Sequence, residues 1–245
     1  NHGTAKDLKE ASEQALLAGT DMDMCSNGFV KHLAQSVAEG KVTEEDINIA
    51  CRRILEAKYK LGLFSNPYRY CNTERNKTDI YSAENRQIAR DVAAETFVLL
   101  KNEGNLLPLK KQGKIALIGP LADTRDNIAG TWSVAQAPEK YTTIKEAMEK
   151  ALDGKATLLY AQGSNIWRDS ELQKNGELGK SIVWGDEVKM KNEALQIAKE
   201  ADVIICAMGE TADMSGECAS RTNLEMPDVQ QELLAELAKT GKPVV

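Results

Sequence analysis

The sequence has little of the residue types on which metal and redox chemistry depends. Its 245 residues include only two histidines, His2 and His32, and five cysteines. The cysteines are scattered, odd in number and without a Cys-x-x-Cys pair, which argues against a disulfide framework and against a zinc site. We therefore expect neither a metal ion nor a cofactor.

Long apolar runs and basic clusters are also missing. The longest apolar run, residues 203–208, is far shorter than the roughly 20 residues that a membrane-spanning helix needs. There are 31 Lys and Arg against 37 Asp and Glu, without a basic cluster, so no nucleic acid, membrane surface or membrane span is predicted. Neither glycine-rich phosphate motif, GxGxxG or GxxxxGK[ST], occurs, which disfavours a nucleotide-binding domain.

The two ends of the sequence suggest a longer protein. No initiating methionine or apolar leader precedes the first helical pattern, and the last residues, 243–245, have the pattern of a strand that is only beginning. We interpret the chain as a piece of a longer protein. Its cellular compartment therefore has to be inferred rather than read from a targeting segment.

Helical periodicity dominates the first 65 residues. Helices are predicted over residues 6–18 and 29–39, and a third begins at a capping-box pattern at residues 43–46. The alternation of polar and apolar residues over 20–24 predicts a short strand. Residues 66–81 are polar and aperiodic, which is typical of a linker.

Strands and helices alternate from residue 82 onwards. The patterns predict strands at 114–118, 157–161, 203–208 and from 243, and helices at 82–101, 143–152, 188–200 and 227–239. Short apolar strands that alternate with helices indicate a mainly parallel sheet with helices on both faces. The fold class is therefore α/β.

Two long loops follow predicted strands, where ligands of open α/β sheets bind. Residues 119–141 include Asp123, Arg125 and Trp132, and residues 209–221 include three carboxylates and Arg221. Both loops could equally be solvated connections, with Trp132 as a packing residue. Cys218 has no histidine near it in sequence that could activate it as a nucleophile, so cysteine catalysis is disfavoured.

Several blocks in a fixed order carry a family resemblance. They are His-Gly-Thr-Ala at 2–5, Ala-Gly-Thr-Asp-Met-Asp-Met at 18–24, Lys-Tyr-Lys-Leu-Gly-Leu-Phe at 58–64, Val-Leu-Leu-Lys-Asn at 98–102, Ile-Gly-Pro-Leu-Ala-Asp at 118–123, Gly-Thr-Trp-Ser at 130–133 and Gly-Glu-Cys-Ala-Ser-Arg at 216–221. The blocks are spread along nearly the whole chain. The sequence resembles glycoside hydrolase family 3, and in particular its bacterial periplasmic β-glucosidases.

The resemblance implies a domain organisation and a location. Residues 1–65 would be the C-terminal end of a TIM-like barrel, residues 66–81 an inter-domain linker, and residues 82–245 an α/β sandwich domain that is truncated at its C-terminal end. The N-terminal portion of the barrel would be a missing partner of this chain. A periplasmic or secreted protein is expected from the same resemblance.

The resemblance also implies a retaining hydrolase that removes terminal non-reducing β-D-glucosyl residues with two carboxylates. The acid/base would be Glu217, and the family's nucleophile, an Asp in a Ser-Asp motif, would lie upstream of Asn1. Asp21 and Asp23 lie past that motif and do not replace it.

Two further residues have expected roles in the same loops. Glu210 is the second candidate for the acid, although a loop-fixing carboxylate paired with Arg221 is the preferred interpretation. Trp132 is a candidate platform for stacking against the sugar.

Alternatives to the β-glucosidase remain. A β-xylosidase would use the same chemistry, and the isolated chain would be a non-catalytic carbohydrate-binding domain without turnover, because it lacks the nucleophile. The family's N-acetylglucosaminidases often lack the second domain, so the 209–221 loop argues against them. In each β-glycosidase case the expected partner is a β-linked oligosaccharide or glucoside.

Overall fold

The computed structural model describes residues 3–130, 132–133, 137–175, 182–217 and 219–245. His2, Thr131 and Cys218, which belong to the sequence blocks named above, lie outside the described residues. The chain divides into two compact units, Asn1–Val98 and Leu99–Val245. In the described ranges, no helix is both long and apolar enough to cross a membrane.

The first unit is helical. Its helices are α1 (Leu8–Leu17), α2 (Gly28–Ala38), α3 (Glu44–Lys60), α4 (Arg75–Thr78) and α5 (Ala83–Glu95). A small core holds α1, α2 and α3 together and consists of Leu16, Leu33, Val42 and Ala50. The predicted start of α3 is confirmed, because Thr43 and Asp46 form a reciprocal capping box.

Two expectations for this unit are wrong. Residues 20–24 are not a strand, and Met22 and Met24 are 66% and 83% exposed. Alternation of side chains makes a strand only where a neighbouring strand completes its hydrogen bonds, and no strand in the described ranges pairs with this segment. The predicted helix 82–101 stops at Glu95, since Thr96, Phe97 and Val98 have low helix propensity.

The second unit is built on a parallel sheet. Its strands are β1 (Lys114–Ile118), β2 (Thr157–Ala161) and β3 (Val203–Cys206), in the order β2-β1-β3. Ile118 lies opposite both Ala161 and Cys206, so the strands end at the same edge of the sheet. Val244 extends the pairing through an isolated parallel bridge to Ile204. The predicted parallel α/β architecture is confirmed.

Helices cover both faces of this sheet, as the alternation predicted. The helices of this unit are α6 (Ile144–Leu152), α7 (Ser170–Asn175), α8 (Glu187–Glu200) and α9 (Asp228–Ala238). Ala116, Ile118 and Ile204 point to one face, where they pack with buried residues of α8 and α9. Leu117 lies in a cluster on the other face, against which Met148 of α6 packs. Both faces of the sheet are covered, which agrees with the mainly apolar sequence of the strands.

A glycine at the end of β1 sets where its following loop begins. Gly119 has a φ of +137°, and a Cβ at this position would lie 2.1 Å from the carbonyl oxygen of Ala207. The chain that follows β3 therefore passes against the backbone of Gly119 more closely than any side chain would permit. This contact fixes the starting points of two loops side by side.

Candidate active site

Three loops leave the sheet at the edge where its strands end. We call them the β1 loop (residues 119–143), the β2 loop (residues 162–186) and the β3 loop (residues 207–227). They share a small apolar cluster that contains Leu121 of the β1 loop, Ile166, Trp167 and Ile182 of the β2 loop, and Met214 of the β3 loop. Because each loop contributes to it, the cluster fixes the loops relative to one another.

A hydrogen bond joins the β1 and β3 loops directly. The backbone N–H of Ala212 donates to Oδ1 of Asn127 over 3.0 Å. The side-chain amide of Asn127 donates in turn to Oγ1 of Thr124 over 3.1 Å, which fixes the orientation of the amide. The two loops that the sequence singled out are therefore in contact.

The first residues of the β3 loop are held by a buried glutamine. Gln230 of α9 has no exposed surface. Its Oε1 accepts from the N–H of Gly209 and its Nε2 donates to the carbonyl oxygen of Gly209, both over 2.9 Å. Such a paired contact satisfies both backbone groups of Gly209 as a strand neighbour would, and it fixes the direction in which the loop leaves β3.

The predicted pairing of Glu210 with Arg221 is confirmed. Oε1 of Glu210 lies 2.7 Å from Nη1 of Arg221. Nη2 of Arg221 also donates to the carbonyl oxygens of Asn223, over 3.2 Å, and Glu225, over 2.8 Å. The guanidinium lies above the ring of Trp167, 5.6 Å from its centroid. Arg221 thus contacts the two ends of the β3 loop, and through Trp167 it also contacts the β2 loop.

Glu217 lies in the exposed outer part of the β3 loop. A short 3₁₀ turn, Ala212–Met214, precedes it, and Gly216 with a φ of +95° turns the chain immediately before it. Within the part of the chain that the structure describes, the Glu217 carboxylate makes no hydrogen bond or ion pair. Glu210 is bound to Arg221, whereas Glu217 has no such partner among the described residues.

The charged side chains of the β1 loop have structural contacts with α6. Oδ1 of Asp123 accepts from Thr143 over 2.9 Å, and Oδ2 accepts from Lys145 over 3.1 Å. Burial raises the pKa of Asp123, but the hydrogen bonds from Thr143 and Lys145 outweigh it and lower the pKa below the usual 3.8. Arg125 pairs with Glu146. These residues fasten the β1 loop to the start of α6.

The predicted sugar platform has an exposed side chain. Trp132 lies in the β1 loop and is 71% exposed. Among the described residues, no hydrogen bond, ion pair or ring contact joins its side chain to Glu217. Its role as a stacking platform stays a prediction.

Sequence reasoning missed the β2 loop. Trp167 of this loop stacks against Arg221, and the neighbouring Arg168 pairs with Asp228, Glu187 and Glu232. The only signal in the sequence is the long interval between the strand at 157–161 and the next predicted helix at 188, which contains a tryptophan. A loop of this length indicates a functional or supporting role.

Cys206 provides a thiol at this edge of the sheet, in an environment that does not favour the reactive thiolate. Burial raises the pKa of Cys206, at the end of β3, to about 11, so its thiol is protonated at neutral pH. In the described ranges, no group of three or more His, Cys, Asp and Glu side chains is arranged to hold a metal ion.

Comparison with known proteins identifies the family. Residues 97–245 match the model of the glycosyl hydrolase family 3 C-terminal domain. The chain belongs to glycosyl hydrolase family 3. This assignment covers the sheet and all three loops described above.

Two curated relatives match the chain along its whole length. The chain is 39% identical over 250 residues to the periplasmic β-glucosidase of Salmonella typhimurium, and all of the chain matches 33% of that protein. It is 30% identical over 257 residues to the β-xylosidase of Formosa agariphila, again with all of the chain and 33% of the relative. The chain thus spans about a third of the length of these curated relatives.

A solved structure shows the same fold. The β-glucosidase of Listeria innocua in complex with isofagomine superposes with a TM-score of 0.84 at 31% identity. The match covers all of this chain and 31% of the Listeria chain.

Proposed function

We propose that this family 3 chain supplies the acid/base of a retaining β-glucosidase that removes terminal non-reducing β-D-glucosyl residues. The observation that carries the proposal is the exposed Glu217, which has no hydrogen-bond or ion-pair partner among the described residues and lies in a loop that is held at both ends. Gln230 holds Gly209 near the start of the loop, and Arg221 connects the beginning of the loop to its end. The names of the relatives in Salmonella and Listeria support the choice of substrate.

The rest of the active site would come from protein outside these 245 residues. We propose that residues 1–65 form the end of a TIM-like barrel, residues 66–81 a linker, and residues 82–245 an α/β sandwich. An Asp nucleophile would lie in the barrel, upstream of Asn1. A periplasmic or secreted location is proposed from the name of the Salmonella relative.

Glu217 would act twice in the reaction. In the first step its proton passes to the glycosidic oxygen while the bond from that oxygen to C1 breaks, and the nucleophile carboxylate forms an ester with C1. In the second step the Glu217 carboxylate removes a proton from water, whose oxygen attacks C1 and releases the nucleophile.

The decisive experiment replaces Glu217 by Ala in the full-length protein. A 2,4-dinitrophenyl glucoside has a leaving group that departs with little protonation, whereas cellobiose needs the acid. We expect kcat/KM for cellobiose to fall by about 10²–10⁴-fold and that for the aryl glucoside to fall much less. Azide should restore turnover of the aryl glucoside as β-glucosyl azide. Equal losses on both substrates without azide rescue would overturn the proposal.

A β-xylosidase is the second candidate. It is favoured by the 30% identity to the Formosa enzyme, which covers the chain as fully as the Salmonella match does. The comparison that separates the two is kcat/KM of the full-length protein for 4-nitrophenyl β-glucoside and 4-nitrophenyl β-xyloside. A higher value for the xyloside would replace glucose by xylose in the proposal and leave the role of Glu217 unchanged.

A further inference from the structure

We propose that Arg221 is a positioning residue that holds Glu217 where it can donate its proton. This inference rests on the proposed function. The guanidinium of Arg221 contacts three parts of the site: the beginning of the β3 loop, the end of the β3 loop and the β2 loop. Arg221 lies four positions after Glu217 in the chain, in the same loop.

The guanidinium connects the beginning of the β3 loop to its end. At the beginning it forms the ion pair with Glu210, over 2.7 Å. At the end it donates to the carbonyl oxygens of Asn223 and Glu225. Glu217 therefore lies in a segment of the loop whose two ends both contact the guanidinium of Arg221. The loop cannot open at either end without breaking hydrogen bonds to a charged donor, which are stronger than neutral ones.

The same arginine is seated against the apolar cluster. Its Nη1 lies 3.2 Å from Sδ of Met214, and its plane lies over Trp167. Met214 is only 4% exposed, and the Arg221 side chain is 19% exposed, against 41% for Glu210. The arginine is thus the more buried partner of the pair. It transmits the position of the β2 loop to the loop that carries the acid.

Only arginine has the geometry for these contacts. Its guanidinium presents several N–H groups in one plane and stacks on an aromatic ring, whereas the lysine ammonium is a compact point charge. Lysine at this position would keep the charge near Glu210 but would lose the simultaneous contacts to Asn223, Glu225 and Trp167. A displacement of a catalytic group by about 1 Å can lower the rate by about 10²-fold.

The test measures the dependence of the rate on the leaving group in Arg221→Lys of the full-length protein. We expect kcat/KM for cellobiose to fall by about 10–10²-fold and that for the 2,4-dinitrophenyl glucoside to change only a few-fold. Loss of fold stability alone would lower the amount of active enzyme and reduce both rates equally. The ratio of the two rates therefore reports the position of the acid, not the stability of the loop.

A matched control is available at the same edge of the sheet. Arg168 also forms a network, with Asp228, Glu187 and Glu232, but lies outside the β3 loop. Arg168→Lys should leave the ratio of the two rates unchanged. Should Arg221→Lys fail to fold, Glu210→Gln removes the negative charge that pairs with the guanidinium and leaves its stacking in place, and it should shift the ratio in the same direction by a smaller factor.

The outcomes separate this proposal from the proposed function. If Glu217→Ala shows the selective loss on cellobiose but Arg221→Lys and Glu210→Gln lower both rates equally, the positioning role is overturned and the acid assignment stands. If Glu217→Ala itself shows no selective loss, the acid assignment is overturned. A selective loss in both Glu217→Ala and Arg221→Lys, absent in Arg168→Lys, is the result that we expect.

Discussion

Glu210 and Arg221 lie eleven positions apart in the β3 loop and form an ion pair in which Oε1 and Nη1 lie 2.7 Å apart. Because the Glu210 carboxylate is in contact with solvent, the pair contributes only about 0–1 kcal/mol to folding. The ion pair matters for the shape of the loop, because it joins the segments that precede and follow Glu217. The pair also distinguishes the two candidate acids, because Glu210 is bound to a guanidinium and Glu217 is not.

The first prediction concerns Glu210→Ala in the full-length protein. The carboxylate of Glu210 is bound to a guanidinium that also contacts Trp167, so it is not expected to deliver the proton. Activity should fall modestly, and azide should not increase turnover or yield β-glucosyl azide. Formation of the azide product in Glu210→Ala, and not in Glu217→Ala, would exchange the roles of the two residues.

The second prediction concerns the buried amide that fixes Gly209. Gln230→Glu removes the donor to the carbonyl oxygen of Gly209 and places a carboxyl group where no surface is exposed. We expect the free energy of unfolding to fall by about 1–3 kcal/mol, measured by urea denaturation. The neighbouring exposed Gln231, which donates to the carbonyl oxygen of Met226, provides the control. An equal effect of Gln231→Glu would contradict the special role of Gln230.

Local patterns predicted most of the second unit. The strands at 114–118 and 157–161 have the predicted bounds, and the capping box of α6 at Thr143 and Glu146 is present. Each of these features depends on apolar periodicity or on hydrogen bonds between residues close in sequence. Such features form wherever the segment is placed. The pairing of Glu210 with Arg221 was also predicted, because both lie in one loop.

Features that depend on distant partners were predicted poorly. Residues 20–24 alternate as a strand would, but strand formation requires a neighbour. The contact of Trp167 with Arg221 joins segments that follow different strands, and nothing in either segment indicates the other. The same is true of the bond from Ala212 to Asn127. The sequence therefore indicated two of the three loops at this edge of the sheet, whereas the β2 loop and the contacts that orient all three required the structure.

The third prediction compares two capping threonines. Thr143 is 1% exposed, accepts from the N–H of Glu146 and donates to Asp123. Thr43 caps α3 in the same way but is exposed. Thr143→Ala should lower the free energy of unfolding by about 1–2 kcal/mol and Thr43→Ala by less, because Thr143 is buried and its loss removes one of the two side-chain hydrogen bonds to the partly buried Asp123 carboxylate. The measurement is thermal or urea unfolding of each variant.

The fourth prediction is a dependence of stability on acidic pH. The pKa of Asp123 is lowered from 3.8, because the hydrogen bonds from Thr143 and Lys145 outweigh the effect of burial. A carboxyl group whose pKa is lower in the folded state stabilises the fold above 3.8, and this contribution is lost as the pH falls through its folded pKa. The Tm of the wild-type chain should therefore exceed that of Asp123→Asn at neutral pH, and the difference should shrink at pH values below 3.8.

A control for this effect is Lys145→Met, which removes one of the two donors to Asp123. It should make the difference in Tm between neutral and acidic pH smaller than in the wild-type chain. A difference between wild-type and Asp123→Asn that stays constant across this range would show that the Asp123 charge makes no contribution.

The fifth prediction concerns the 245 residues by themselves. Retention requires two carboxylates about 5–5.5 Å apart, one of which attacks C1. We propose that this chain supplies only the acid/base, so the isolated chain should release no measurable glucose from a β-glucoside, even from an aryl glucoside that needs no acid. The matched control is the same chain with Glu217→Ala, which should be equally inactive. Glucose release that disappears in Glu217→Ala would show that the chain contains a nucleophile of its own, and the division of the two catalytic carboxylates between this chain and an upstream barrel would then be wrong.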